Sequence, residues 1–203
     1  KEELTVTPTG QISTSLKGET VSSLNRKEAE LRLQDLNAAR KDPEKFLPEV
    51  ISSAKKLSGY HEPVDSDKPV FTGRIRKETY SIEKYFIKGE GDYVIPFLLF
   101  RPLSWGSKAM LYLNPAGKSA EAGPGAEIER FVMQGFAVLA PDLLGCGETG
   151  PGSFRGDADF DGASHNLWYA SILAGRSITG IQAGDVVKLL RWMRKECHYA
   201  EIT

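Results

Sequence analysis

Two short apolar runs in this chain each stop at a proline-containing pair and open into small residues. They are Met110-Leu-Tyr-Leu-Asn-Pro-Ala-Gly-Lys-Ser119 and Gly135-Phe-Ala-Val-Leu-Ala-Pro-Asp-Leu-Leu-Gly-Cys-Gly-Glu-Thr-Gly150. Each has the form of a buried strand delivering a loop to a working face, and adjacent parallel strand ends border a site. In the first loop, small residues let main-chain N–H groups approach a ligand closely, as stabilising an oxyanion requires. The backbone of Ala116 and Gly117 supplies the candidate donors. A tight turn whose small residues serve packing is the structural alternative.

Other chemistry-bearing residues are weaker candidates. Lys118 follows a glycine in Gly117-Lys-Ser119, but a phosphate-binding loop needs a further glycine at position 112, which is Tyr112. Gly145, Gly147 and Gly150 carry dinucleotide-type spacing, yet Pro151 and Gly152 follow where a helix should open. Asp157, Asp159 and Asp161 with Gly162 resemble half of a calcium loop, but its twelfth position is Trp168 rather than a bidentate Glu. A solvated acidic loop is the better reading, and no metal or cofactor is expected. The nearest approach to a nucleophile elbow is Gly175-Arg-Ser177-Ile-Thr179-Gly180, with Thr179 where glycine would relieve crowding; a helix-to-helix turn is the alternative. Cys146 lies in the second loop with no helix N-terminus or fixed histidine evident beside it, which favours an inert thiol. The three histidines, His61, His165 and His198, all fall where surface or loop residues are expected.

The elements that must position these residues can be read from pattern. Residues 1–25, rich in Thr, Ser and Gly, suggest an extended segment with a short strand and turn near residues 5–14. A helix is predicted from Asn25, with Asn25 and Glu28 as a capping box. A second runs from Asp42 to about Leu57, with Pro48 bending or splitting it. Residues 60–69 read as a polar linker, so residues 1–69 form an extended and helical appendage to a domain at 70–203. Residues 77–87 and 93–102, joined by Gly89-Glu-Gly-Asp92, predict an antiparallel hairpin, its second strand bulged or near an edge because of Pro96. Strand at 109–113, helix at 125–134, strand at 136–140 and a helix ending near 196 then alternate. That alternation predicts an α/β fold: a mainly parallel sheet with helices on both faces. In the last helix Ile178, Ile181, Val186, Leu189, Leu190 and Met193 share one face, with Lys188, Arg191, Arg194 and Lys195 largely off it. Residues 199–203 sit where a next strand would begin.

Bulk properties narrow the function classes. At 203 residues and 40% hydrophobic, the chain can bury a real core. A net charge of -1 gives no electrostatic reason to expect nucleic acid or an anionic membrane surface as a partner. No apolar run approaches the roughly 20 residues of a spanning helix, and Lys-Glu-Glu-Leu-Thr-Val lacks a signal-peptide core. The absence of an initiator Met leaves open a processed chain, a trimmed one or a piece of something longer. The two cysteines lack metal-ligand spacing and read as unpaired thiols.

The order of parts resembles the first half of an α/β-hydrolase. The hairpin, the Asn114 to Gly117 loop, the strand ending Ala140-Pro-Asp-Leu-Leu-Gly-Cys-Gly-Glu148 and the helix Gly180-Ile-Gln-Ala-Gly-Asp-Val-Val-Lys-Leu-Leu-Arg-Trp-Met193 carry the resemblance. More narrowly the chain is similar to the acetyl xylan esterase and dienelactone hydrolase-like branch, through Gly175-Arg-Ser-Ile followed by Gly-Asp-Val-Val. The resemblance covers residues 77–203 and implies a carbohydrate-esterase-like serine hydrolase, secreted or periplasmic. Its oxyanion loop usually starts His-Gly, where this chain has Asn114-Pro115. In that family the nucleophile, acid and histidine follow the point where this sequence stops, so the implied partners are an ester substrate and a C-terminal half of the same protein. A non-catalytic binding or structural module on a hydrolase scaffold is the alternative.

Overall fold

The computed structural model describes residues 7–64, 68–104, 106–150, 158–160, 163–195, 197–199 and 201–203. The chain divides into two compact units, Lys1–Ser53 and Ala54–Thr203. The division falls inside a helix, α3 (Pro43–Ser58). Residues 60–64 are not a free linker: in the second unit Arg191 donates to the Pro63 carbonyl at 2.9 Å and pairs with Glu62.

The first unit is helical. Where a strand was expected near residues 5–14, the described part forms a turn at 7–10 and the one-turn helix α1 (Ile12–Ser15). The Thr9 hydroxyl bonds Thr14 and the Gln11 carbonyl and so closes the backbone into that turn. Helix α2 (Val21–Ala39) starts four residues before the predicted Asn25. Its capping box is Thr20 with Ser23, whose side chains each accept from the other's backbone N–H at 3.1 and 2.8 Å. Helix α3 (Pro43–Ser58) runs through Pro48 without being split there. Only the N–H that would have reached the Glu44 carbonyl is missing. The helix ends as predicted at Gly59, whose φ of +63° is the left-handed conformation of a Schellman stop; the Tyr60 N–H reaches back to the Lys55 carbonyl at 3.0 Å.

The second unit is built on a six-stranded mixed sheet of order β1-β2-β3-β5-β4-β8. Strands β1 (Val70–Arg76), β2 (Tyr80–Lys88) and β3 (Val94–Pro102) form an antiparallel meander, and β3 pairs antiparallel with β5 (Ala137–Pro141). The parallel portion comprises β5, β4 (Lys108–Leu111) and β8 (Glu201–Ile202), the last being the strand anticipated near the final residues. Strand β1 was not anticipated: its side chains are mostly exposed, so it lacks the alternation that marks a half-buried strand. Strand β3 is neither bulged nor at an edge, despite Pro96. The Pro96 carbonyl accepts from the Asp142 N–H at 2.8 Å, so its missing N–H also points to the β5 side, where β5 has just ended. No ladder bond to β2 is lost.

Alternation along the strands sorts the core into two layers. On one face Ile95, Phe97 and Leu99 of β3 and Ala137 and Leu139 of β5 pack with Leu189 and Met193 of α6 (Ile178–Lys195). On the other, Tyr80, Ile82, Phe100, Val138 and Ala140 pack with Ile128 and Val132 of α4 (Glu127–Met133). The short hairpin β6 (Asp159–Phe160) and β7 (Ala163–Ser164) leads into α5 (His165–Leu173), capped by the Ser164 hydroxyl accepting from the Leu167 N–H at 3.2 Å.

Candidate functional site

The loops leaving β4 and β5 meet as expected of neighbouring parallel strand ends. The Tyr112 N–H extends the pairing to the Leu139 carbonyl at 2.8 Å before the chains diverge. Beyond it, residues 114–117 close a turn through the Gly117 N–H and the Asn114 carbonyl at 2.9 Å. Residues 142–150 form the facing loop, with a short 3-10 turn at Gly147–Thr149, and the Gln182 carboxamide of α6 donates to its Leu144 carbonyl at 2.7 Å.

Asp142 joins the two loops. Its carboxylate, 1% exposed, accepts from the Lys118 N–H at 2.6 Å, the Lys118 ammonium at 2.5 Å and the Glu148 N–H at 3.0 Å. Lys118 is itself buried and also reaches Glu148 at 2.7 Å. The flanking glycines leave room for this junction. A Cβ on Gly117, where φ is +94°, would lie 2.6 Å from Asp142 Oδ1, and one on Gly147, where φ is +52°, would overlap the same carboxylate. Lys118 and Asp142 thus form a buried clasp, with the exposed Glu148 closing it from the solvent side. No local sequence pattern announces it beyond a charged residue beside a glycine in each of two strand-end loops.

The two candidate backbone donors occupy different environments. The Gly117 N–H is inside the turn, and the residue is buried. Ala116 is exposed, and its N–H donates to a side chain, Asn114 Oδ1 at 2.9 Å. The Tyr112 hydroxyl donates to Glu127 at 2.6 Å. The Glu127 bond and then desolvation raise the Tyr112 pKa.

The remaining candidates do not converge on this place. The Ser177 hydroxyl donates to the Ser58 carbonyl at 3.1 Å and accepts from the Gly180 N–H at 3.0 Å, the geometry of a cap at the start of α6. The helix-to-helix turn is therefore its place. Cys146 is a free, half-buried thiol whose pKa is raised by burial and by Asp142, the opposite of an activated nucleophile. His61 Nδ1 meets Glu90 at 2.9 Å, and Arg176 holds the same carboxylate. His165 stacks beside Trp168 and Tyr169, and His198 is exposed. Asp157, Asp161 and Gly162 of the acidic loop lie outside the described residues; among the described residues no three His, Cys, Asp or Glu side chains group around a metal-sized site.

A cavity of about 450 Å³ opens between residues 61–64, the β2–β3 turn and α6, and includes no residue of the two strand-end loops. Lys188, expected largely off the apolar face, is buried in its wall together with Asp185. Tyr93 donates to the Asp185 carboxylate at 2.8 and 3.0 Å, and Lys188 to the Lys88 carbonyl at 2.7 Å. Desolvation lifts Asp185 to about 6.

No family model and no curated protein sequence matches the chain. Solved structures do. A candidate acetyl xylan esterase from Bacteroides fragilis NCTC 9343 superposes with a TM-score of 0.63 at 20% identity, covering 80% of this chain and 46% of its own. The chain shares the fold of the corresponding part of that structure, an incomplete α/β-hydrolase-like fold. Acetyl xylan esterase from Paenibacillus sp. R4 has a TM-score of 0.46 at 18% identity, covering 74% of this chain and 46% of its own. Acetyl xylan esterase 1 from Thermoanaerobacterium sp. JW/SL YS485 has 0.45 at 15%, covering 73% and 45%. The chain spans less than half the length of each of these structures. Within the α/β-hydrolase layout, β4 and β5 with their clasped loops form part of the carboxyl-end face on which ligands of open α/β sheets bind.

Proposed function

We propose that the chain provides the scaffold and oxyanion-donor loop of a carbohydrate-ester hydrolase working by acyl transfer through a serine. That serine, its acid and its histidine lie on residues outside this chain. One observation carries the reading: the exposed Ala116 N–H stands at the end of β4, on a turn whose base is fixed by the buried Asp142. A backbone donor on a turn fixed in this way keeps its position, and only its present acceptor, the Asn114 side-chain oxygen, has to be displaced when charge develops on a carbonyl oxygen. Of the two candidate amides, Ala116 is the one assigned the role, because the Gly117 N–H closes the turn. The carbohydrate part of the proposal follows the Bacteroides fragilis candidate acetyl xylan esterase, the structure that shares the fold.

The test is turnover of p-nitrophenyl acetate, with labelling by a fluorophosphonate probe, on the protein expressed from its own gene. Turnover with labelling is the expected result. A second reading, a binding or structural module on a hydrolase scaffold, is favoured by a specific feature: the N–H groups of Ala116, Gly117 and Lys118 all have acceptors already. It predicts neither turnover nor labelling.

A further inference from the structure

We propose that Asn114 is a gate on the oxyanion donor, its side-chain oxygen occupying the place on the Ala116 N–H that a substrate oxyanion would take. This rests on the assignment of Ala116 as donor made above. Asn114 Oδ1 accepts from that N–H at 2.9 Å, a normal hydrogen-bond length. The carboxamide must present its oxygen here, since the partner is an N–H. An oxyanion can reach Ala116 only after Asn114 has turned away.

Two features make that movement local. The occupant is a side chain on a partly exposed residue, so rotation about its own bonds is sufficient. The loop does not depend on it either: the turn stays closed by the Gly117 N–H on the Asn114 carbonyl, and Asp142 continues to hold the Lys118 N–H. Asn114 is therefore a positioning residue acting through Ala116, and it weakens oxyanion binding in the resting state.

The experiment compares wild type, Asn114→Ala and Asn114→Asp in the protein expressed from its own gene. It measures kcat and KM for p-nitrophenyl acetate and inhibition by 2,2,2-trifluoroacetophenone, whose carbonyl becomes a tetrahedral oxyanion on addition of the serine oxygen. Asn114→Ala should bind the ketone about two- to tenfold more tightly, the range set by losing one competing neutral hydrogen bond, with kcat rising in step and KM unchanged. Asn114→Asp should weaken ketone binding and lower kcat about tenfold or more, because a carboxylate competes more strongly for the N–H and repels the developing charge. If the asparagine merely braces the loop, Asn114→Ala weakens ketone binding, and the gate is overturned while the hydrolase assignment stands. Wild type that neither turns over ester nor binds the ketone overturns the hydrolase assignment and the gate with it.

Discussion

Asp142 shows how one buried carboxylate can set the relative position of two loops. Taking a carboxylate and an ammonium out of water is costly, and the cost is met here only because three N–H donors converge on the acid. Removing one partner leaves the other charge uncompensated. Lys118→Met should therefore cost about 3 kcal/mol, the low end for breaking a buried pair because both backbone donors to Asp142 survive. Urea unfolding would measure it, and a double-mutant cycle with Asp142→Asn should return a coupling above about 1 kcal/mol. A cost below that figure would mean that the loops are held by something else. Asp185 makes an opposite prediction. Burial raises its pKa to about 6, so ionising it in the folded state costs free energy that the unfolded chain does not incur. Above pH 6 that cost is fully present; as pH falls through 6 toward 4 the folded carboxyl takes up its proton first and stability rises. Asp185→Asn keeps an oxygen for the Tyr93 hydroxyl and removes the charge. It should raise Tm at pH 7.5, on the order of 2 kcal/mol, with the gain vanishing by pH 4.

At the start of α6, Ser177 separates two roles that look alike in sequence. As a cap on α6 its loss should cost about 1 kcal/mol, whereas loss of a nucleophile would abolish covalent labelling. Ser177→Ala is expected to lower Tm modestly and to leave fluorophosphonate labelling at the wild-type level; lost labelling would sink the cap assignment. The reason Ser177 could be read as a turn is the same reason the core strands were legible. Their signals are local: glycines flank the serine, and Ile95, Phe97 and Leu99 alternate with side chains of the opposite face within one run. Strand β1 was missed because an edge strand with both faces largely exposed leaves no alternation, and Gly73 interrupts it. The clasp was missed for another reason. Lys118 and Asp142 are 24 residues apart, and nothing near either one states that the parallel pairing of β4 and β5 brings them together. Lys188 is buried although it lies largely off the apolar face, because its ammonium reaches the Lys88 carbonyl, 100 residues earlier in the chain. Alternation reveals which face is apolar; it does not reveal what tertiary packing lays over a polar one.

At the scale of the whole molecule, the two units differ in what holds them together. The second has a sheet covered on both faces, with Phe97, Leu99, Leu139 and Leu189 fully buried. In the first, α2 buries none of its residues, and Ile12 of α1 and Leu16 just after it are exposed, so its helicity rests on caps and on pairs such as Arg32 with Glu28, 2.8 Å apart. Exposed pairs of that kind contribute a few tenths of a kcal/mol each. Global unfolding should then report on the second unit, and removal of residues 1–41 should leave it intact. That cut keeps Asp42, which accepts from the Lys45 N–H at 3.3 Å and through its carbonyl from the Phe46 N–H, so α3 retains its start. The truncated protein is expected to unfold within about 0.5 kcal/mol of the parent in urea, the range of changes away from any core. Its far-ultraviolet helical signal should fall by the share due to α1 and α2, and the slope of the transition should change little, since no residue of α2 is fully buried. A loss of several kcal/mol, or a shallower transition, would show that the N-terminal helices bury surface in the folded protein and belong to its core.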